Sequence, residues 1–159
     1  MNIKILCVGK IKEKYLRDGI AEYLKRLGRY AKVTVHETSD EKTPEEASEA
    51  QVRQIKEKEG ERLLKFIAEG DYCIAMAIDG KKYDSVGFSE HLESLMNHGE
   101  STIDLVIGGS LGLSDAVLKR ADEKISFSDL TFPHQLMRLI LTEQIYRAFR
   151  IMKHEPYHK

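Results

Sequence analysis

An α/β fold built on a largely parallel sheet is predicted by three features of the sequence. Three apolar runs, 3–8, 72–78 and 103–107, each stop at a glycine or an Asp-Gly pair, as strands buried on both faces do. The segments between them carry apolar residues at helical spacing. The third run ends in Gly108-Gly109-Ser110-Leu111-Gly112, at the carboxyl end of a strand, where such sheets bind ligands.

Each element has its own signal. Ile3 to Val8 reads as a strand closed by Gly9, and Leu16, Ile20, Tyr23, Leu24 and Leu27 form the stripe of a helix that Gly28 ends. Val33 to Val35 alternates as a strand does. Thr43-Pro44 predicts the start of a long charged helix running to about Ala68, with Gly60 as its weak spot. Tyr72 to Ile78 is a strand bounded by Gly70-Asp71 and Asp79-Gly80. A helix from about Ser89 to Met96 ends at Asn97-His98-Gly99. After the strand Ile103 to Ile107, Ser114 or Asp115 caps a short helix through Ala121. Ile125 to Phe127 is a short fourth segment, Ser126 to Pro133 a loop, and His134 to about Met152 the last helix.

A chain of 159 residues with 42% hydrophobic content suits one domain, 1–159. No apolar run is long enough to span a bilayer and no signal peptide is evident, so a soluble, cytoplasmic protein is expected. Cys7 and Cys73 sit in apolar runs without the clustering a metal site needs, and they read as buried, reduced thiols. The net charge of −1 conceals an asymmetry. Residues 1–32 hold nine Lys and Arg against three Asp and Glu, residues 37–61 four against nine, and residues 138–159 five against two. Basic ends permit a phosphate-facing surface, although charge runs are commonly solvated helix faces.

The last helix is apolar around more than one face: Leu136, Met137, Ile140, Leu141, Ile145, Ala148 and Met152 are joined by Leu139, Tyr146 and Phe149. A sheet cannot bury all of these, which points to a second copy of the chain as the other neighbour, the alternative being a helix buried centrally within the monomer.

The glycine turn admits several chemistries. It lacks the glycines of a dinucleotide fingerprint and the Gly-Lys-Ser/Thr of a P-loop. It does match Gly-x-Ser-x-Gly, so Ser110 could be a hydrolase nucleophile with Asp129 and His134 or His154 as partners, though that acid-to-histidine spacing is cramped. A plain strand-to-helix turn is a further reading. Backbone approach to a flat adenosine is another, with Phe127-Ser128-Asp129-Leu130-Thr131-Phe132-Pro133-His134 as the second wall. The tail His154-Glu155-Pro156-Tyr157-His158-Lys159 has groups suited to base and phosphate contacts, whereas His36, His91 and His98 read as surface residues.

Taken together, Ile107 to Gly112, Phe127 to His134, the helix from Leu136-Met137-Arg138 through Glu143-Gln144-Ile145-Tyr146-Arg147-Ala148, and Pro156-Tyr157-His158 resemble the 23S ribosomal RNA pseudouridine N3-methyltransferase H family, minimal members of the SPOUT methyltransferases. The resemblance covers essentially the whole chain. It implies a mostly parallel sheet flanked by helices with a C-terminal trefoil knot, a feature that an open-sheet expectation discounts. It also implies a homodimer, S-adenosyl-L-methionine as cofactor, and a pseudouridine in a loop of 23S rRNA on the assembled ribosome as substrate. By position, the cofactor contacts are Met76, where the family commonly has leucine, together with Gly108, Phe127, Ser128, Asp129, Leu130, Thr131 and Phe132. A main-chain contact tolerates the exchange at Met76. No metal is expected. His154, Tyr157 and His158 are the candidate catalytic groups, acting on the pocket of the other subunit, with Arg138 and Lys159 holding phosphate or uracil oxygens. Which group takes the N3 proton, or whether water does, stays open. The competing classes are a serine hydrolase using Ser110 and a non-enzymatic ribosome-binding protein.

Overall fold

The computed structural model describes residues 1–159. The elements in order are β1 (Asn2–Val8), α1 (Lys14–Leu27), β2 (Lys32–Thr38), α2 (Glu49–Leu64), β3 (Tyr72–Lys82), α3 (Ser85–Asn97), β4 (Thr102–Ile107), α4 (Asp115–Arg120), β5 (Glu123–Ser126) and α5 (His134–Met152). The five strands form one sheet in the order β2-β1-β4-β3-β5, and every pairing is parallel.

Alternation along the strands divides the core. Ile3, Ile5, Cys7, Ile103, Leu105 and Ile107 point to the face covered by α1, α3 and α5, while Leu6, Val8, Cys73, Ala75 and Val106 point to α2 and α4. Right-handed crossovers require this division. The β1-to-β2 and β3-to-β4 steps move one way along the sheet, and the β2-to-β3 and β4-to-β5 steps move the other.

The helix starts differ from the expectation. Thr43-Pro44 lies in the loop before α2, which begins instead at a capping box. There the Ser48 side chain accepts from the Gln51 amide and the Gln51 side chain accepts from the Ser48 amide. Asp84 caps α3 through the Gly87 amide, so that helix starts four residues earlier than its apolar pattern. Gly60 is no weak spot. It is buried where α2 meets α4, and a Cβ there would lie 2.2 Å from Ser114 Oγ.

α5 lies between α1 and α3 and buries Leu141, Ile145, Ala148 and Phe149 within the monomer, while Leu136, Met137, Leu139, Ile140 and Met152 of its apolar girth are half-buried. His91 and His36 are not free surface groups. His91 pairs with Glu123 and stacks on Tyr83, and His36 packs its ring against Phe66. Burial pushes both cysteine thiols up to about 12, so they stay protonated at neutral pH.

Candidate active site

A cavity of about 680 Å³ opens at the carboxyl ends of β3, β4 and β5. One wall is the turn Gly108 to Gly112, the opposite wall is Phe127, Ser128 and Leu130 to Pro133, and Met76 to Ile78 close it from β3. His134 and Met137, on the first turn of α5, form its edge. Seven of the eight predicted cofactor contacts therefore meet in one place. The eighth, Asp129, is exposed and points away to pair with Lys82.

The turn takes this shape because side chains are excluded from it. A Cβ on Gly108 would lie 2.7 Å from the Gly112 carbonyl carbon, and Gly112 itself adopts φ +89 to accept the return of the chain. The Gly112 amide closes the turn on the Gly109 carbonyl at 3.1 Å. Across the cavity, Ser128 stiffens the loop: its carbonyl accepts from Ser126 Oγ and its Oγ accepts from the Leu130 amide, both at 3.0 Å. The amides of Ser110, Ser128, Asp129, Thr131 and Phe132 make no hydrogen bond within the protein. Apolar walls with free main-chain donors and acceptors suit a flat, polar-edged ligand.

His134 is half-buried, and burial together with the Arg138 charge lowers its pKa, which leaves a neutral imidazole at the cavity edge. It stands at the end of the 127–134 wall, where the sequence places it. No serine relay exists: Ser110 and His134 make no hydrogen bond, and Asp129 is engaged by Lys82.

The structure separates the four predicted catalytic residues from the cavity. Arg138 is 1% exposed and donates to Glu37 at 2.8 Å and to the Val8 carbonyl at 2.6 Å, tying α5 to the ends of β1 and β2. The tail folds on the C-terminal half of α5. Arg150 and Tyr30 hold Glu155, and Tyr30 precedes β2, so this contact lies at the opposite edge of the sheet from the cavity. Tyr157 donates to Glu143 at 2.9 Å and sets its ring edge-on to Tyr146. Burial, reinforced by the Tyr23 and Glu143 contacts, raises the Tyr157 pKa and keeps the phenol protonated. Arg147 bonds Glu143 at 2.6 Å and reaches His158 Nδ1 at 3.1 Å. A guanidinium only donates, so the neutral His158 ring carries its proton on Nε2. His154 occupies the left-handed position, φ 54, of a Schellman cap in which its amide bonds Ile151 and that of Glu155 bonds Arg150. Lys159 is exposed.

Comparison with known proteins decides the family. The family described as "Predicted SPOUT methyltransferase" matches residues 1–158. This chain belongs to the SPOUT methyltransferase family. Proteins named ribosomal RNA large subunit methyltransferase H are similar to it over the full length of both chains. The protein from Listeria monocytogenes serotype 4a is 61% identical over 159 residues, and those from Exiguobacterium and Bacillus cytotoxicus are each 60% identical. A Legionella pneumophila methyltransferase-type protein solved with the bound cofactor SAM shares the fold at a TM-score of 0.50 and 10% identity, over 94% of this chain and 66% of that one. As a SPOUT methyltransferase, this chain is a group-transfer enzyme. The hydrolase and non-enzymatic readings of the glycine turn are overturned.

Proposed function

We propose that this SPOUT methyltransferase transfers a methyl group from S-adenosyl-L-methionine to N3 of a pseudouridine in a loop of 23S rRNA, acting as one 1–159 domain on the ribosome in the cytoplasm. Full-length identity of about 60% to proteins named for large-subunit rRNA methylation carries this reading. The cavity fits the cofactor: Gly108 admits close main-chain approach, the unpaired amides of the 127–132 loop suit an adenine edge, and Phe127 and Phe132 exclude water. When bound, S-adenosylmethionine supplies an electrophilic methyl on its sulfonium. The protein's part is to align the uracil ring and keep the site dry, without a metal.

The homodimer supplies what one chain does not. Cavity and tail lie at opposite edges of the sheet, so Tyr157 and His158 serve the cavity of a second copy. His158 offers its Nε2 proton to a uracil oxygen, whereas the single Tyr157 proton is already donated to Glu143 and leaves the phenol oxygen as an acceptor. The N3 proton then leaves to solvent. The implied knot is compatible with the path of the chain, which leaves β5 at the sheet edge and returns to set α5 between α1 and α3. Where β3 and β5 pair at a register shift, the Gly80 backbone lies against that of Ile125.

Calorimetric titration with S-adenosylmethionine, followed by methyl transfer to ribosomes lacking the modification, tests the reading. Micromolar cofactor binding and one methyl per ribosome are expected; no binding at millimolar cofactor would end it. Mixed dimers of a tail-deleted and a cavity-blocked subunit should recover activity, and finding none would remove the shared site.

A further inference from the structure

Between the cavity and α1 the chain carries a rigid loop that the site described above leaves unused. Lys10 to Glu13 leaves β1 at Gly9, whose φ is +83, and enters α1 at Lys14. Ile11 is buried against Leu136 and Leu139 of α5, so Lys10 and Lys12 on either side of it face outward. The Ile11 amide donates at 3.0 Å to the same Glu37 oxygen that receives Arg138. Arg17 donates to the Ile11 and Lys12 carbonyls at 3.1 and 3.0 Å, and the Lys12 amide lies 3.4 Å from the side-chain oxygen of Gln135, the neighbour of the cavity residue His134.

This much fixation of an exposed loop leaves two cations without an acidic partner, since neither Lys10 nor Lys12 forms an ion pair, whereas Lys14 is engaged by Asp18. Beside them Tyr15 is 69% exposed and makes neither an aromatic contact nor a hydrogen bond. The other flank of Gly9 is acidic, with Asp40 close to it, so the cationic path to the cavity runs only along the α1 side.

We propose that Lys10, Lys12 and Tyr15 form the rim along which a single RNA strand reaches the cavity, the lysines on successive phosphates and the tyrosine ring stacked on an unpaired base. An inserted, exposed aromatic among cations favours a nucleic acid strand over an acidic polypeptide, because a base offers a ring face and each linkage a charge. Arg138 and Glu37 are positioning residues of this rim: they hold Ile11 and thereby set the direction of its neighbours. The inference rests on the ribosomal reading above.

The test uses full-length K10E/K12E, K10Q/K12Q and Y15A, whose sites are exposed, with cofactor titration to confirm an intact cavity. K10E/K12E is expected to raise KM for ribosomes at least tenfold with kcat and cofactor affinity within about twofold. K10Q/K12Q should lower the slope of log binding constant against log salt by about 1.4, for two single-strand phosphate contacts. Y15A should weaken binding about tenfold with the slope unchanged, and Y15F should restore it. A KM within twofold and an unchanged slope would overturn the proposal. If the unsubstituted protein transfers no methyl to ribosomes lacking the modification, the ribosomal reading fails, while fluorescence anisotropy with a short single-stranded RNA still decides the rim. Equal loss of binding to polyglutamate would overturn it in favour of an acidic protein partner.

Discussion

Replacing Gly60 by alanine tests the packing that supports the glycine turn. In an isolated helix the change stabilises, by about 1 kcal/mol from propensity. Here the new Cβ would lie 2.2 Å from Ser114 Oγ, 3.0 Å from Ser114 Cβ and 3.2 Å from Val117 Cγ2. Ser114 Oγ accepts the Val117 amide and caps α4, so turning it aside forfeits the cap, about 1 kcal/mol. The remaining contacts force α2 and α4 apart, a strain of about 1–3 kcal/mol. The net expectation is a loss of about 1–3 kcal/mol, a fall in Tm of some 2–4 °C for each kcal/mol at this chain length. Ser114→Ala alone should cost about 1 kcal/mol. The double substitution should be no less stable than G60A, because the nearest clashing atom and the cap are lost together. Urea denaturation of the four proteins measures the coupling, expected at about 1 kcal/mol or more. Additivity within about 0.3 kcal/mol, or a G60A protein more stable than the original, would show that the α2–α4 contact is not as close as this geometry makes it.

Asp104 sets a pH dependence. Burial, aided by the Asp71 carboxyl and opposed by Lys4, pushes its pKa from 3.8 up to about 7. Its contribution is full below pH 4 and is lost as the pH rises to about 7, because over that window the folded protein holds a proton the unfolded chain has released. Asp104→Asn should therefore flatten the stability profile between pH 4 and 7, and equal profiles by urea denaturation would count against it. His154→Gly should raise stability by up to about 1 kcal/mol by relieving a left-handed backbone, with methyl transfer within a few-fold of the original. A hundredfold loss of activity would make His154 a chemical participant instead. Gly108→Ala should weaken cofactor binding at least tenfold, since its Cβ meets the Gly112 backbone, and Gly109→Ala should do less, since there the nearest atom is the end of the Glu59 side chain at 3.2 Å. Equal effects by calorimetry would remove the argument from backbone contact.

The strands were legible because parallel strands covered on both faces must be apolar throughout, and runs such as Ile103 to Ile107 have no other use. Seven residues of the cavity wall were legible for a related reason: a glycine turn after such a strand has few structural alternatives, and the family pattern chose among them. The start of α2 was ambiguous because Thr43-Pro44 and Ser48-x-x-Gln51 are both sound helix openings. The second prevails by satisfying two amides reciprocally. The apolar girth of α5 announced neighbours beyond the sheet but could not say that α1 and α3 are among them, since hydrophobic burial is non-directional. The tail was the least legible. Its order comes from Glu155, gripped by Arg150 five residues before it and by Tyr30 from a distant part of the chain, and from a left-handed histidine where glycine is usual.

Arg138 shows why residue type and position together can still mislead. An arginine on the first turns of a helix bordering a methyl-transfer site suggests a phosphate clamp. Its guanidinium is nevertheless 1% exposed, and a charge so buried is tolerable only when paired and hydrogen-bonded. Glu37 and the Val8 carbonyl meet that requirement. Glu37 is itself bonded to the Ile11 amide, so the buried charge governs the exposed loop that carries Lys10 and Lys12. Arg138 thus influences phosphate recognition by fixing the backbone that presents two other cations. A direct contact would require Arg138 to leave a site where the unpaired Glu37 and Val8 oxygens would each lose a charge-assisted hydrogen bond.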